Sequence, residues 1–198
     1  MKENSKIFIK AAGMLCAMTL LCGVLYGGVV TGAAQLFFPE QANGSIIEVD
    51  GKEYGCELLA QEYTEKSHMW GRVMYVTSVM DGNGERKMYA GPSNFGPESE
   101  ELKAAVEERI EKLREADPDG ADRKIPVDLV TCSGSGLDPD ISLAAALYQA
   151  PRLAKENGMS EEKIEEIIEE CRTEKFLGIF GEDTVNVLKV NLMLEGIL

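Results

Sequence analysis

The chain has 198 residues, with 34 Asp and Glu against 20 Lys and Arg, a formal net charge of −14 and one histidine. So large a negative excess excludes electrostatic binding of nucleic acid. Five cysteines without C-x-x-C spacing spell neither a disulfide framework nor a zinc site, and the length leaves room for one globular domain and an additional segment.

That segment comes first. From Ala11 to Phe38 there is no Asp, Glu, Lys or Arg, and a spanning helix needs roughly 20 mostly apolar residues. A cleavable signal would have a shorter apolar region ending in an A-x-A-like site, so the stretch is expected to be a membrane anchor. Leu15 before Cys16 and Leu21 before Cys22 also stand where a lipoprotein signal would have a small residue. Lys2, Lys6 and Lys10 precede the helix with only Glu3 opposing them. The positive-inside rule therefore predicts residues 1–10 in the cytoplasm, 11–38 in the membrane and 39–198 outside. The first ten residues carry a net +2, so the remainder carries −16 against the whole chain's −14. Such a surface could concentrate cations at its side of the membrane.

In the outer domain, Ser45 to Ala60 places two apolar-rich segments about Asp50-Gly51, a hairpin signal. Thr64 to Pro97 mixes aromatic and β-branched residues with Gly and Pro and predicts irregular strands and loops. Leu102, Val106, Ile110 and Leu113 recur at helical spacing behind acidic residues 98, 100 and 101, predicting a helix from about Pro97 to Pro118. Ile125 to Thr131 reads as a short buried strand. It leads into the loop Ser133-Gly134-Ser135-Gly136, followed by a helix that Asp138 and Asp140 would cap. Pro151 should kink or interrupt that helix and Gly158 should end it. Ser160 is placed to cap a second helix with Ile164, Ile167, Ile168 and Cys171 on one face. Thr184 to Leu194 is β-branched and apolar and reads as a buried strand. The fold class is therefore an α+β outer domain, a small mixed or antiparallel sheet with about three helices, on a single N-terminal transmembrane helix.

The motifs for chemistry fail one by one. No Gly-Lys-Ser/Thr occurs, so there is no P-loop. The nucleophile elbow fails because Ser133 stands where the first Gly should precede Ser135. Any Ser-His pair would have to use His68, which leaves a free-standing anchored binding or hydrolase domain as the alternative function. Asp81 to Glu85 and Asp117 to Asp122 look like pieces of a calcium loop, but the required sixth-position Gly is Arg86 or Asp122, so both read as turns. No catalytic residue and no metal ligand emerges, and the profile suits an accessory subunit.

An ordered set of motifs narrows this further: Gln41 to Ser45, Trp70 to Arg72, Ser93 to Pro97, Val127 to Ser142, Gln149 to Gly158 and Val185 to Leu194. Together they resemble the KdpC family, the C subunit of the bacterial Kdp potassium-transporting P-type ATPase. The pattern departs from the family's at His68-Met69, Val73 and Cys132. The resemblance implies a non-catalytic subunit required for assembly and activity. Its implied partners are a potassium-conducting A subunit, an ATP-hydrolysing B subunit and a small F subunit. It also implies a proposed role as a catalytic chaperone that raises the B subunit's ATP affinity. In that role Gln149 would be a nucleotide contact, and Ser133, Gly134, Ser135 and Gly136 are likened to an ABC-type signature. The charge bias conflicts with this, since it puts those residues outside while ATP is cytoplasmic. The structural alternative gives the Gln149 amide a hydrogen bond across the gap left by Pro151. The small residues Gly13, Ala17, Gly23 or Gly27, Gly28 and Gly32 would let the anchor approach a partner helix closely.

Overall fold

The computed structural model describes residues 2–80 and 86–198, which fall into two compact units, Met1–Ser45 and Ile46–Leu198. The first is helical: α1 (Lys2–Met18), a π-helical stretch (Thr19–Tyr26) and α2 (Gly27–Phe37) follow without a break. Lys6–Phe37, 32 residues with a mean hydropathy of 2.0, is long and apolar enough to cross a membrane. Pro39, which cannot continue the ladder, opens the short α3 (Pro39–Ala42). There the Asn43 and Gln35 amides exchange hydrogen bonds at 3.2 Å, and Asn43 also donates to the Pro39 carbonyl at 2.7 Å.

The second unit opens with the expected hairpin of β1 (Ile46–Val49) and β2 (Lys52–Cys56), with a bulge between Ile47 and Glu48. Asp50 and Gly51, at φ 53° and 77°, supply the left-handed pair that matches strand twist. β3 (Val76–Met80) and β4 (Arg86–Ala90) form a second antiparallel pair, Val76 opposite Ala90. Residues 81–85, one of the two calcium-loop look-alikes, lie outside the described residues. α4 (Glu100–Ala116) starts at Ser99, whose side chain accepts from the Leu102 N–H at 3.2 Å, with Glu100 and Glu101 in its first turn. The other look-alike is a turn, as expected: Asp117 accepts from Gly120 N–H and pairs with Arg123.

Three expectations are corrected. Val127–Leu129 is a 3₁₀ turn and not a strand. Val127 is exposed while Leu129 is fully buried, so of the two apolar side chains only Leu129 enters the core. Asp138 and Asp140 do not cap the next helix. Asp140 lies in β5 (Asp140–Ser142), and Ser142 caps α5 (Leu143–Asn157) by accepting from Ala145 N–H at 3.1 Å. Thr184 to Leu194 is mostly helix and not one strand: β7 (Thr184–Asn186) ends where Asn186 caps α7 (Val187–Leu194) through Lys189 N–H. The apolar positions 187, 190 and 194 share a helical face, and packing against the core overrides the β-branched preference. α5 runs through Pro151 unbroken and ends at Gly158 with φ 65°.

α6 (Glu161–Glu170) has Ser160 as cap and Ile164, Ile167 and Ile168 buried. The sheet order is β5-β7-β6, with β6 being Arg172–Thr173, and all pairings are antiparallel. α5, α6, α7 and this sheet enclose one core that also takes in Met69, Trp70, Leu113 and Leu129. The described residues thus show an α+β domain with several small antiparallel sheets and four helices, preceded by one long apolar helix. The fourth helix is the one the apolar run at residues 187–194 conceals.

Candidate functional site: a buried polar clamp around Trp70

Residues 66–71, which carry Met69 and Trp70 into the core, lie outside the named strands, yet each of their carbonyls is held by a side chain. Arg152 donates to the carbonyls of Lys66 and, at 2.9 Å, His68. Asn157 donates to that of Ser67 at 2.8 Å. Asn191 accepts from Met69 N–H at 2.7 Å and donates back to its carbonyl at 3.0 Å. Gln149 does the same for Trp70, at 2.8 and 2.9 Å. Arg109 donates to the Gly71 carbonyl at 3.1 Å. A side-chain amide has one acceptor oxygen and a two-proton donor, as a peptide group offers C=O and N–H. Gln149 and Asn191 therefore stand in for the missing neighbouring strand.

Two guanidinium groups approach the indole of Trp70, those of Arg152 at 5.0 Å and Arg109 at 5.2 Å from its ring. Its N–H donates to the Glu65 carbonyl at 2.8 Å. Burial lowers the pKa of both arginines, Arg152 to about 10, which leaves it cationic at neutral pH. Gln149, 1% exposed, also accepts from Arg152 at 2.7 Å and donates to the Ala145 carbonyl at 3.3 Å. Its oxygen thus accepts twice and its nitrogen donates twice, the full capacity of the amide. The expected bond across the Pro151 gap is not made. Pro151 deprives Leu147 of a helical N–H, whereas Gln149 reaches Ala145 and Trp70.

Arg72 carries the clamp outward. It donates to Asp138 at 3.2 Å and to the Cys132 carbonyl at 3.0 Å, and Val73 bridges Cys132 in parallel. The loop beyond is closed on itself. Ser133 Oγ accepts from Gly136 N–H at 3.0 Å and Ser135 Oγ accepts from Leu137 N–H at 3.2 Å. Gly136 has φ 70°, and a Cβ there would lie 2.3 Å from the Gly91 carbonyl oxygen. Tyr75 N–H donates to the Gly136 carbonyl. β5 separates the loop from α5, so the loop is not that helix's N-terminus. The hydrogen bonds of Gln149 go to Trp70, Ala145 and Arg152, and those of Ser133–Gly136 to their own turn and Tyr75. The two expected nucleotide-contact groups have separate partners.

His68 Nε2 is 2.9 Å from a Glu195 oxygen and its Nδ1 is 3.7 Å from Glu65, with Tyr63 beside the ring at 5.2 Å. These neighbours are two carboxylates and a phenol rather than a Ser, Thr or Cys side chain. A cavity of about 360 Å³ is bordered by Arg72, Asp128, Asp138, Asp140 and Asp183. The carboxylates have partners: Asp128 accepts from Ser142 N–H, Asp138 from Arg72 and Asp140 N–H, Asp140 from Asn186, and Asp183 from Arg172. Among the described residues no group of three or more His, Cys, Asp and Glu is placed to hold a metal ion.

Arg109, Arg152, Asn157 and Asn191 escaped the sequence reading. Their signal was present, since Gln149 and Arg152 interrupt an otherwise small and apolar helix face, and Asn191 interrupts another.

Fold and site define a small α+β domain, stiffened by a buried amide and guanidinium network, on a helix able to span a membrane. A family profile described as "K+-transporting ATPase, c chain" matches residues 8–196, and this chain belongs to that family, KdpC. Similar proteins named "Potassium-transporting ATPase KdpC subunit" include one from Clostridium perfringens, 53% identical over 98% of both chains. Another, from Clostridium botulinum strain Alaska E43, is 51% identical over the full length of both. A more distant one, from Herpetosiphon aurantiacus, is 40% identical over 96% of both.

Proposed function

We propose that the chain is the accessory C subunit of an ATP-driven potassium uptake complex and works beside a potassium-conducting, an ATP-hydrolysing and a small stabilising subunit. The observation that carries this is the end-to-end match to relatives named as that subunit. Lys6–Phe37 anchors it in the cell membrane, the three lysines keep residues 1–10 in the cytoplasm, and residues 39–198 face outward. The domain contributes rigidity and contact surface to the assembly and performs no bond chemistry of its own.

In this reading Gln149 and Ser133–Gly136 are positioning residues, not nucleotide contacts. The support is that the Gln149 amide already makes all four of its hydrogen bonds inside the core, so a nucleotide would have to displace Trp70, Ala145 or Arg152.

The test is restoration of growth at limiting potassium in cells that lack only their own C subunit. In the same cells a cysteine-free chain carrying Val127→Cys, an exposed site, is treated with an impermeant maleimide. Growth restoration and labelling of intact cells are expected. No restoration refutes the subunit role, and labelling only after permeabilisation reverses the orientation. The exposed Ser135→Ala should leave the complex's apparent KM for ATP within about twofold. A tenfold rise with the complex intact would reinstate the nucleotide role.

A further inference from the structure

After β6 the chain turns sharply and presents four large apolar side chains outward. Phe176, Leu177, Ile179 and Phe180 are 71, 73, 75 and 62% exposed. The turn is a closed structure. Phe176 N–H donates to the Phe180 carbonyl at 2.8 Å and Phe180 N–H returns to that of Phe176 at 3.0 Å. Leu177 and Gly178 both have positive φ, 55° and 71°, a conformation uncommon for a bulky residue such as leucine. Lys175 pairs with Glu182 at 3.0 Å and Arg172 with Asp183 at 3.1 Å, fixing the base.

Four such side chains, mostly uncovered, expose roughly 500 Å² of apolar surface, at the upper end of what a monomer leaves open in one patch. It is smaller than the roughly 800 Å² per partner of a stable interface, and its collar is charged. Tip and collar together have the anatomy of a contact, an apolar centre inside a polar rim.

Charge selects the occupant. The two cations at the base, Arg172 and Lys175, are already paired with Asp183 and Glu182, which leaves the tip beside Glu174 on a domain of charge −16 with neither cation free. An anionic lipid surface is bound through free Lys and Arg next to apolar groups, and a second copy would bring the same carboxylates together. A protein pocket, apolar inside and neutral or basic at its rim, fits both features.

We infer that the Phe176–Phe180 turn is a docking finger that inserts into an apolar pocket on the water-exposed part of a partner subunit. This rests on the reading of the chain as a subunit of the potassium transporter and adds the residues by which its outer domain is held.

The test uses the full chain, co-expressed with the other transporter subunits and purified through one of them. The double variant Phe176→Ser, Ile179→Ser should be retained at least about tenfold less than the unaltered chain, with a melting temperature within about 2 °C because these side chains are mostly exposed in the isolated chain. p-Benzoylphenylalanine in place of Leu177 should photo-crosslink to one of the co-expressed subunits. Retention within twofold, or an adduct confined to lipid or to a second copy, overturns the inference. If the unaltered chain is itself not retained, the subunit reading fails. If it is retained along with the variant, only the docking finger fails.

Discussion

Replacing Gln149 with leucine is the sharpest test of the clamp. Leucine nearly preserves volume and apolar burial but removes four hydrogen bonds at a residue 1% exposed. Trp70, itself 6% exposed, would keep a buried N–H and a buried carbonyl without partners. Each orphaned group costs about 1–3 kcal/mol, and the lost Arg152 contact adds to this. The expected loss is therefore about 3–6 kcal/mol, a large share of the roughly 5–15 kcal/mol that holds a typical domain folded. Trp70 is the only tryptophan, so its fluorescence reports from the site. In urea unfolding of the full chain in detergent, the midpoint should fall with little change in slope. The melting temperature should drop by roughly 10 °C or more. A variant within about 1 kcal/mol of the parent would refute the argument that the amide substitutes for a strand. A contact residue for a bound nucleotide would instead show normal stability without nucleotide.

Three further outcomes follow from particular atoms. Gly136→Ala should destabilise the domain by more than about 2 kcal/mol, because it combines a left-handed φ with a Cβ 2.3 Å from the Gly91 carbonyl oxygen. Gly134→Ala, which meets nothing within 4 Å, should fall within about 0.5 kcal/mol of the parent, and thermal melts compare the two. Burial raises the pKa of Asp140 above its ordinary 3.8, so the folded state holds its proton more tightly than the unfolded chain. Its contribution to stability is then fullest below the unfolded pKa and is lost as pH rises through the folded one. Asp140→Asn, which keeps an acceptor for Asn186, should stabilise at pH about 7 and lose that advantage below pH about 4; an equal gain at both would contradict this. Burial pushes the Cys171 thiol up to about 11. At Cys132 burial also raises the pKa, but hydrogen bonds with Ser93 and the nearby Arg72 charge outweigh it and the net shift is downward. Maleimide should therefore modify Cys132 in the native chain and Cys171 only after denaturation, as peptide mapping would show.

What the sequence determined by itself is local or long in period. The anchor was legible because a bilayer demands a minimum apolar length, and Lys6–Phe37 meets it. The hairpin at Asp50-Gly51 and the cap at Ser160 were expected because each depends on one or two residues whose side chains favour that backbone. The family was legible in the order of its motifs. Tertiary structure alone decided the rest. Val187–Leu194 has strand-like composition and is a helix, because its face at 187, 190 and 194 is paid for by core contacts that no local preference encodes. Asp138 and Asp140 have the composition of caps, but Arg72 and Asn186, distant in sequence, claim them first. Gln149 could be singled out in the sequence, yet its partner could not. Trp70 lies 79 positions earlier, and only the folded chain brings a strandless segment to an amide able to complete its hydrogen bonds.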